Sequence, residues 1–197
     1  LPKALLFWRS STHFIGGLGV VVFLLLIIPG SSQMKLRLTN LELSSLSKGE
    51  YHARANRTVY IFTYVYLGIF AASFLSYLLA GMGPFDAVNH AFSVSATGGF
   101  STRNSSIASF HSNAISIITM VFMFLSSIHF GIIYMAVVHR SLKPFRNEVL
   151  GLYAGYLVLF SVISAFVLKI DGVCSSWGQA FLDGGFQILS YASTTAA

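Results

Sequence analysis

The sequence predicts an all-α polytopic membrane protein, and composition, apolar stretches and charge placement support that prediction. Of its 197 residues, 55% are hydrophobic and 9% are charged, whereas soluble domains average about 45–50% apolar and about 25% charged residues. Four apolar stretches each approach the ~20 residues that a helix needs to cross the hydrocarbon core of a bilayer. We predict spanning helices at about 4–28, 59–80, 113–138 and 150–168.

The first stretch does not have the features of a secretory signal. Such a signal needs a basic start, a short apolar run and a cleavage site of small residues, and residues 1–9 do not follow that pattern. The chain also lacks an initiator Met and ends inside a motif discussed below. We therefore expect a fragment cut at both ends, which forms one transmembrane domain over 1–197.

The basic residues indicate which loops face the cytoplasm. Eight of the twelve lie between the first two or the last two predicted spans, in or directly beside the loops at 30–56 and 139–148: Lys35, Arg37, Lys48, Arg54, Arg57, Arg140, Lys143 and Arg146. Because cytoplasmic loops carry an excess of Lys and Arg, we predict that both loops are inside and that 81–112 and 170–197 are outside. The net charge of +6 could suggest a nucleic acid, but no segment is long enough for a soluble basic domain. The lipid bilayer, and not a nucleic acid, is the expected partner.

Each outer segment contains an apolar run that is too short to span the bilayer. The runs lie at 84–97 and 177–193, and apolar runs of about 10–14 residues are candidates for re-entrant helices. Irregular backbone at membrane depth is tolerated only where protein or a water-filled cavity surrounds it. We predict re-entrant segments at about 84–102 and 177–197, each with a half-helix that stops at a cavity.

These two segments resemble each other at an offset of 97 residues. Asp86, Ser93 and Thr97 recur as Asp183, Ser190 and Thr194, and most positions between them are apolar. Each segment also follows a predicted span that runs from inside to outside. Such internal repetition predicts a repeated unit of helix, half-helix, Gly/Thr stretch and helix, with a binding site where the repeats meet.

The stretch 95–102 is suited to binding a bare cation. A channel must replace the water shell of an ion by fixed oxygen atoms. Gly98 and Gly99 can adopt positive φ, so that successive carbonyls face one axis, and the preceding half-helix would point its negative end at the cavity. We predict cation-binding oxygens at Ala96, Thr97, Gly98 and Gly99, with support from Phe92, Ser93, Phe100 and Ser101. The alternative for Thr-Gly-Gly is an ordinary turn.

Other polar and small residues near these segments have simpler interpretations. We interpret Asp86 as an N-terminal helix cap, and Arg103 as either an outer-vestibule charge or a salt-bridge partner. His13 and His129 lie within predicted spans, where we prefer hydrogen bonding to a neighbouring helix over a direct functional role. The Gly-Gly-x-Gly run at 16–19 is interpreted as close helix packing.

Two runs resemble a known family. Residues 6–22, LFWRSSTHFIGGLGVVV, resemble the helix after the first filter in the Trk/Ktr/HKT superfamily of potassium transporters. Residues 84–102 resemble the second pore helix and filter of Trk-type bacterial membrane subunits. The resemblance implies helix–pore-helix–helix repeats around a central ion pore for potassium uptake. This chain would supply the end of repeat one, all of repeat two and the start of repeat three, with filter residues also at Thr194 and Thr195.

The resemblance further implies a transported ion, partners and a location. It implies K⁺ as the transported ion, with no organic cofactor and no other metal, in a multi-pass protein of the inner membrane. A homodimer and a cytoplasmic nucleotide-binding regulatory subunit are the implied partners. One departure concerns the third filter, where Gly is expected at Ala196 and Phe or Tyr at Ala197.

Two other functions compete with a potassium pore. An ion-coupled secondary transporter with broken helices is the alternative, and a saturating flux that depends on a second ion would favour it. An intramembrane enzyme is less well supported, because none of the six carboxylates lies in the middle of a span and no His-Glu-x-x-His motif occurs. We therefore do not expect an enzyme.

Overall fold

The computed structural model describes residues 1–19, 46–128, 132, 136 and 148–195, and helices dominate this part of the chain. The first helix, α1, is described over 3–19. The others are α2 (Leu46–Leu79), α3 (Pro84–Ser95), α4 (Asn113–Ser127), α5 (Glu148–Ile170) and α6 (Trp177–Ala192), with a 3₁₀ helix at Ser106–Phe110. No strand occurs among the described residues, and the all-α prediction is confirmed.

The shorter helices begin at recognisable sequence signals. Pro84 is in the first turn of α3, where its missing N–H would have no helical partner anyway. The hydroxyl of Ser112 accepts a hydrogen bond from the N–H of Ile115 at the start of α4. The hydroxyl of Ser176 accepts one from the N–H of Gly178 at the start of α6. Both caps satisfy backbone N–H groups that the helix itself leaves unpaired.

The helices pack as two adjoining units. One unit consists of α2, α3 and α4, and the other consists of α5 and α6, with α4 also packed against α6. One core runs through both units and includes Tyr77, Met123 and Leu189. A Cβ on Gly184 of α6 would lie only 3.0 Å from the backbone N of Ala165. The close approach of α5 and α6 therefore depends on a small residue at this position.

Two of the described helices are long and apolar enough to cross a membrane. These are Tyr60–Leu79 within α2 and Glu148–Ile170, which is α5. In the most apolar window of each, only 22% and 11% of the residues are buried, unlike the core helices of soluble proteins. Large apolar side chains stay on the surface at Leu67, Leu75, Leu79, Leu152, Val158, Phe160, Ile163 and Phe166. The four spans stay a prediction, and residues 20–28 of the first lie outside the described residues.

The start of α2 differs from the sequence prediction. The helix begins at Leu46, within the stretch 30–56 that we predicted as a loop. Residues 46–56 include Lys, Glu, Ala and Arg, which are good helix formers in water. Hydropathy marks only the part of a helix that faces an apolar environment, and so it missed this polar extension.

The end of α4 also differs. We predicted a continuous helix over 113–138, but α4 ends at Ser127 and Ile128 has extended backbone, with φ −66° and ψ 132°. The hydroxyl of Ser127 donates to the carbonyl of Phe124 at 2.7 Å and accepts from the hydroxyl of Tyr153 at 3.1 Å. Side-chain bonds of this kind compete with the backbone ladder of a helix. Residues 132 and 136 are helical again.

Candidate cation filter

Helices α3 and α6, the two predicted half-helices, end in the same backbone motif. After α3, the N–H of Gly98 donates to the carbonyl of Ser93 at 2.7 Å, and the N–H of Thr97 donates to the carbonyl of Val94 at 3.2 Å. The equivalent bonds after α6 run from Thr195 to Ser190 at 3.1 Å and from Thr194 to Tyr191 at 3.0 Å. This is the Schellman motif, in which one left-handed residue turns the chain out of a helix.

The left-handed residue of both motifs is a threonine. Thr97 has φ 51° and Thr194 has φ 57°, although a β-branched side chain disfavours this region by about 1–2 kcal/mol. The long helices α2 and α5 end in the same motif but use Gly81 and Gly172, which have no Cβ to clash. The half-helices therefore carry strain that the long helices avoid.

Beyond Thr97 the chain leaves the helix. Residues 98–101 have no regular structure, and Gly99 has φ 66°. The prediction that 84–96 is largely helical and is followed by non-helical backbone is confirmed. In the second motif, Thr195 is buried and its hydroxyl shares a hydrogen bond with the hydroxyl of Ser193 at 2.8 Å. Ala196 and Ala197 lie outside the described residues.

Aromatic packing holds the end of α3 against its neighbours. The ring of Phe92 stacks on Phe70 of α2 with centroids 4.8 Å apart. It also packs against Phe14 and Phe7 of α1, at 4.8 Å and 5.9 Å. Such aromatic pairs contribute about 0.5–1.5 kcal/mol each beyond simple burial. Phe92, a predicted support residue, thus fixes α3 to both α1 and α2, while the neighbouring Ser93 is buried.

Helix α1 contacts the stretch after α3 through two side chains. The guanidinium of Arg9 donates to the carbonyl of Ser101 at 2.9 Å and lies 4.5 Å from the ring centroid of Phe100. The Nε2 of His13 is 3.2 Å from the carbonyl oxygen of Ala96, and its ring meets Phe100 edge-on at 5.2 Å. His13 therefore makes a hydrogen bond as expected, but to Ala96, which directly follows α3 and is one of the predicted filter residues. His129 lies outside the described residues.

The interpretation of Asp86 as a helix cap is wrong. The capping position of α3 is Gly83, and no side chain caps it. After residue 101 the chain returns to the start of α3, where the carboxylate of Asp86 accepts hydrogen bonds from Thr102 at 2.7 Å and Arg103 at 3.0 Å. Arg103 is thus a salt-bridge partner. Since its side chain is 54% exposed, the ion pair itself contributes at most about 1 kcal/mol.

The second aspartate of the repeat has a different environment. Asp183 lies one turn further into α6 than Asp86 does into α3, and its carboxylate accepts from the side-chain amide of Gln179 at 2.8 Å. The two segments therefore match at the ends of their half-helices and diverge at the beginnings.

Sequence reasoning missed two residues of this site. Arg9 is a charged residue within an apolar stretch, which is a signal of function by itself. His90 gave no such signal, yet its ring nitrogens lie 2.7 Å from the carbonyl of Asp86 and 3.0 Å from the hydroxyl of Ser101. Of the glycines at 16–19, Gly17 alone is in close contact within the described residues: a Cβ there would lie 2.8 Å from the hydroxyl of Tyr66.

Comparison with known proteins relates this arrangement to one family. The model of the TrkH family, described as "Cation transport protein", matches residues 1–174. The Trk system potassium uptake protein TrkH of Vibrio parahaemolyticus is 33% identical over 199 residues, which cover 98% of this chain and 41% of that protein. The Trk system potassium uptake protein TrkG of Escherichia coli is 35% identical over 153 residues, which cover 76% of this chain and 31% of that protein.

A solved structure extends the likeness to three dimensions. The crystal structure of the potassium transporter TrkH from Vibrio parahaemolyticus matches 96% of this chain and 38% of its own, with a TM-score of 0.78 and 30% identity. The chain spans about two fifths of the length of the curated relatives that it matches. The family match runs from α1 through α5 and includes the strained end of α3 together with its contacts from α1. This chain belongs to the TrkH family of cation transport proteins.

Proposed function

We propose that the full-length protein takes up potassium across the inner membrane through a pore to which this chain contributes two filter segments. The observation that carries the proposal is the pair of half-helices that end, 97 residues apart, in one motif with a left-handed threonine. Backbone strain of this kind concentrates at binding sites, where the surrounding structure maintains it. Relatives with 33% and 35% identity are named potassium uptake proteins.

The chemistry of the helix ends fits a cation. A helix carries about half a negative charge at its C-terminal end, so α3 and α6 both direct negative potential at the residues that follow them. Carbonyl oxygens at 97–99 and 194–195, with the hydroxyls of Thr97 and Thr194, could replace the water shell of K⁺. The hydrogen bonds from Thr102 and Arg103 to Asp86 would hold the backbone of the first segment, 97–99, in one conformation.

The described helices also support a membrane location. The apolar surfaces of α2 and α5 suit contact with lipid or with the rest of the full-length protein. We propose the predicted spans, the third with a break at Ile128, and the predicted re-entrant segments as the transmembrane organisation of this chain. We propose a homodimer with a cytoplasmic nucleotide-binding subunit as the assembly. The relatives are named as parts of a Trk system, which fits a membrane subunit that works with others.

The topology can be tested by cysteine labelling of the full-length protein with Cys174 replaced by serine. The variant Ser105→Cys should react with a membrane-impermeant maleimide added to intact cells, because segment 81–112 is proposed to be outside. The variant Lys48→Cys should react only after the cells are opened, because the basic loops are proposed to be cytoplasmic. The reverse labelling pattern would contradict the proposed orientation.

The transport function is tested in cells that lack other potassium uptake systems. The full-length protein should restore growth at limiting potassium and should support uptake of labelled rubidium that potassium inhibits much better than sodium. A secondary transporter would instead show uptake that stops when the proton or sodium gradient is collapsed at constant membrane potential. Uptake no greater than that of cells without the protein would refute both functions.

A further inference from the structure

The predicted filter of one repeat is contacted by the helix of the preceding repeat. Helix α1 precedes the unit formed by α2, α3 and α4, yet two of its side chains reach the ends of the filter stretch. Arg9 holds the far end through the carbonyl of Ser101 and the ring of Phe100. His13 holds the near end through the carbonyl of Ala96. The stretch 96–101 is therefore fixed at both ends from the side of α1.

The contact between His13 and the Ala96 carbonyl shows which of the two groups donates the hydrogen bond. A carbonyl oxygen can only accept a hydrogen bond, so the Nε2 of His13 must carry the proton and donate it. The imidazole ring also lies directly against the backbone of Gly98, because a Cβ built there would be 2.5 Å from Nε2. This hydrogen bond uses one of the two lone pairs of the Ala96 oxygen, and the partial positive charge of the donated proton weakens the attraction of that oxygen for a cation.

We propose that His13 is a positioning residue for the filter, and that it withdraws the Ala96 carbonyl from ion binding so that the cation ligands of this repeat begin at Thr97. By fixing Ala96, His13 also fixes the direction of the carbonyls that follow. Selectivity depends on the number and field strength of the oxygens around the ion. A freed Ala96 carbonyl would add an oxygen and loosen the others. This inference rests on the proposed potassium uptake function.

The test compares three variants of the full-length protein in the rubidium uptake assay. His13→Ala removes the donor and should reduce the preference for potassium over sodium roughly fivefold, which corresponds to about 1 kcal/mol for one hydrogen bond. His13→Gln can still donate from its amide and should retain at least half of the preference. Thr12→Ala is the matched control, because the hydroxyl of Thr12 is exposed and bonds within α1 to Trp8 and Arg9.

The outcomes separate this inference from the proposed function. Failure of the wild type and Thr12→Ala to take up potassium would overturn the function itself. If both transport selectively, a preference unchanged in His13→Ala, or reduced equally in His13→Ala and His13→Gln, would overturn the role of His13. A lower amount of protein in the membrane with the same ion preference and the same KM would mean that His13 serves folding alone, and would also overturn it.

Discussion

Replacement of Gly98 by alanine is expected to reduce potassium uptake by the full-length protein roughly tenfold or more. The new Cβ would lie 2.5 Å from Nε2 of His13, a distance that atoms not bonded to each other do not tolerate. The imidazole cannot move aside without losing its hydrogen bond to Ala96 and its contact with Phe100. Overpacking typically costs about 1–3 kcal/mol, and each 1.4 kcal/mol is about tenfold in an equilibrium.

The measurement is rubidium uptake normalised to the amount of protein in the membrane. A matched control is Gly68→Ala, because a Cβ at that position of α2 meets no atom of the described residues within 4 Å, and alanine favours a helix over glycine. Gly68→Ala should transport like the wild type. Normal uptake by Gly98→Ala would mean that the backbone at 96–101 can move away from His13 without loss of function, and would contradict this prediction.

Replacement of Gly99 by serine is expected to remove most of the discrimination between potassium and sodium. Gly99 has φ 66°, a conformation that any Cβ disfavours by about 1–2 kcal/mol. Rotation of a peptide plane within 97–99 would relieve this strain. The rotation would move one carbonyl oxygen and so change the set of oxygens that bind the ion. Because every 1.4 kcal/mol is about tenfold in an equilibrium, this strain is sufficient to cancel roughly a tenfold preference.

Competition of sodium with rubidium uptake measures this effect. Gly81→Ser is the matched control, since Gly81 also has positive φ, at 86°, but lies in the turn between α2 and α3 with no atom of the described residues within 4 Å of its Cβ. That variant should lower the amount of protein and keep the ion preference. Unchanged selectivity in a well-expressed Gly99→Ser variant would mean that 97–99 is only a turn.

The parts of the fold that follow from local sequence could be predicted. The half-helix α3 was predictable because an apolar run of limited length starts at a proline and stops at two glycines. The match at an offset of 97 residues also anticipated that Thr97 and Thr194 occupy equivalent places, and both have left-handed backbone. Length, period and glycine content determine such features, and all three can be read without knowing what packs against the segment.

The parts that depend on distant contacts could not be predicted. The role of Asp86 was wrong because its partners, Thr102 and Arg103, come 16 and 17 residues later and meet it only when the chain folds back. The break at Ile128 was missed because Ser127 and its neighbours are compatible with an apolar helix by composition. Ser127 accepts a hydrogen bond from Tyr153 of α5. A hydropathy pattern does not record such contacts between helices.

The left-handed threonines also bear on the stability of this chain. At the ends of α2 and α5 the chain uses Gly81 and Gly172, which turn without a steric penalty. At the ends of α3 and α6 it has a residue that makes folding less favourable, Thr97 and Thr194. A mutation to glycine at either position would stabilise the fold. The ends of α3 and α6 are therefore two places where the chain is less stable than its fold allows, and Thr97→Gly or Thr194→Gly should raise the melting temperature.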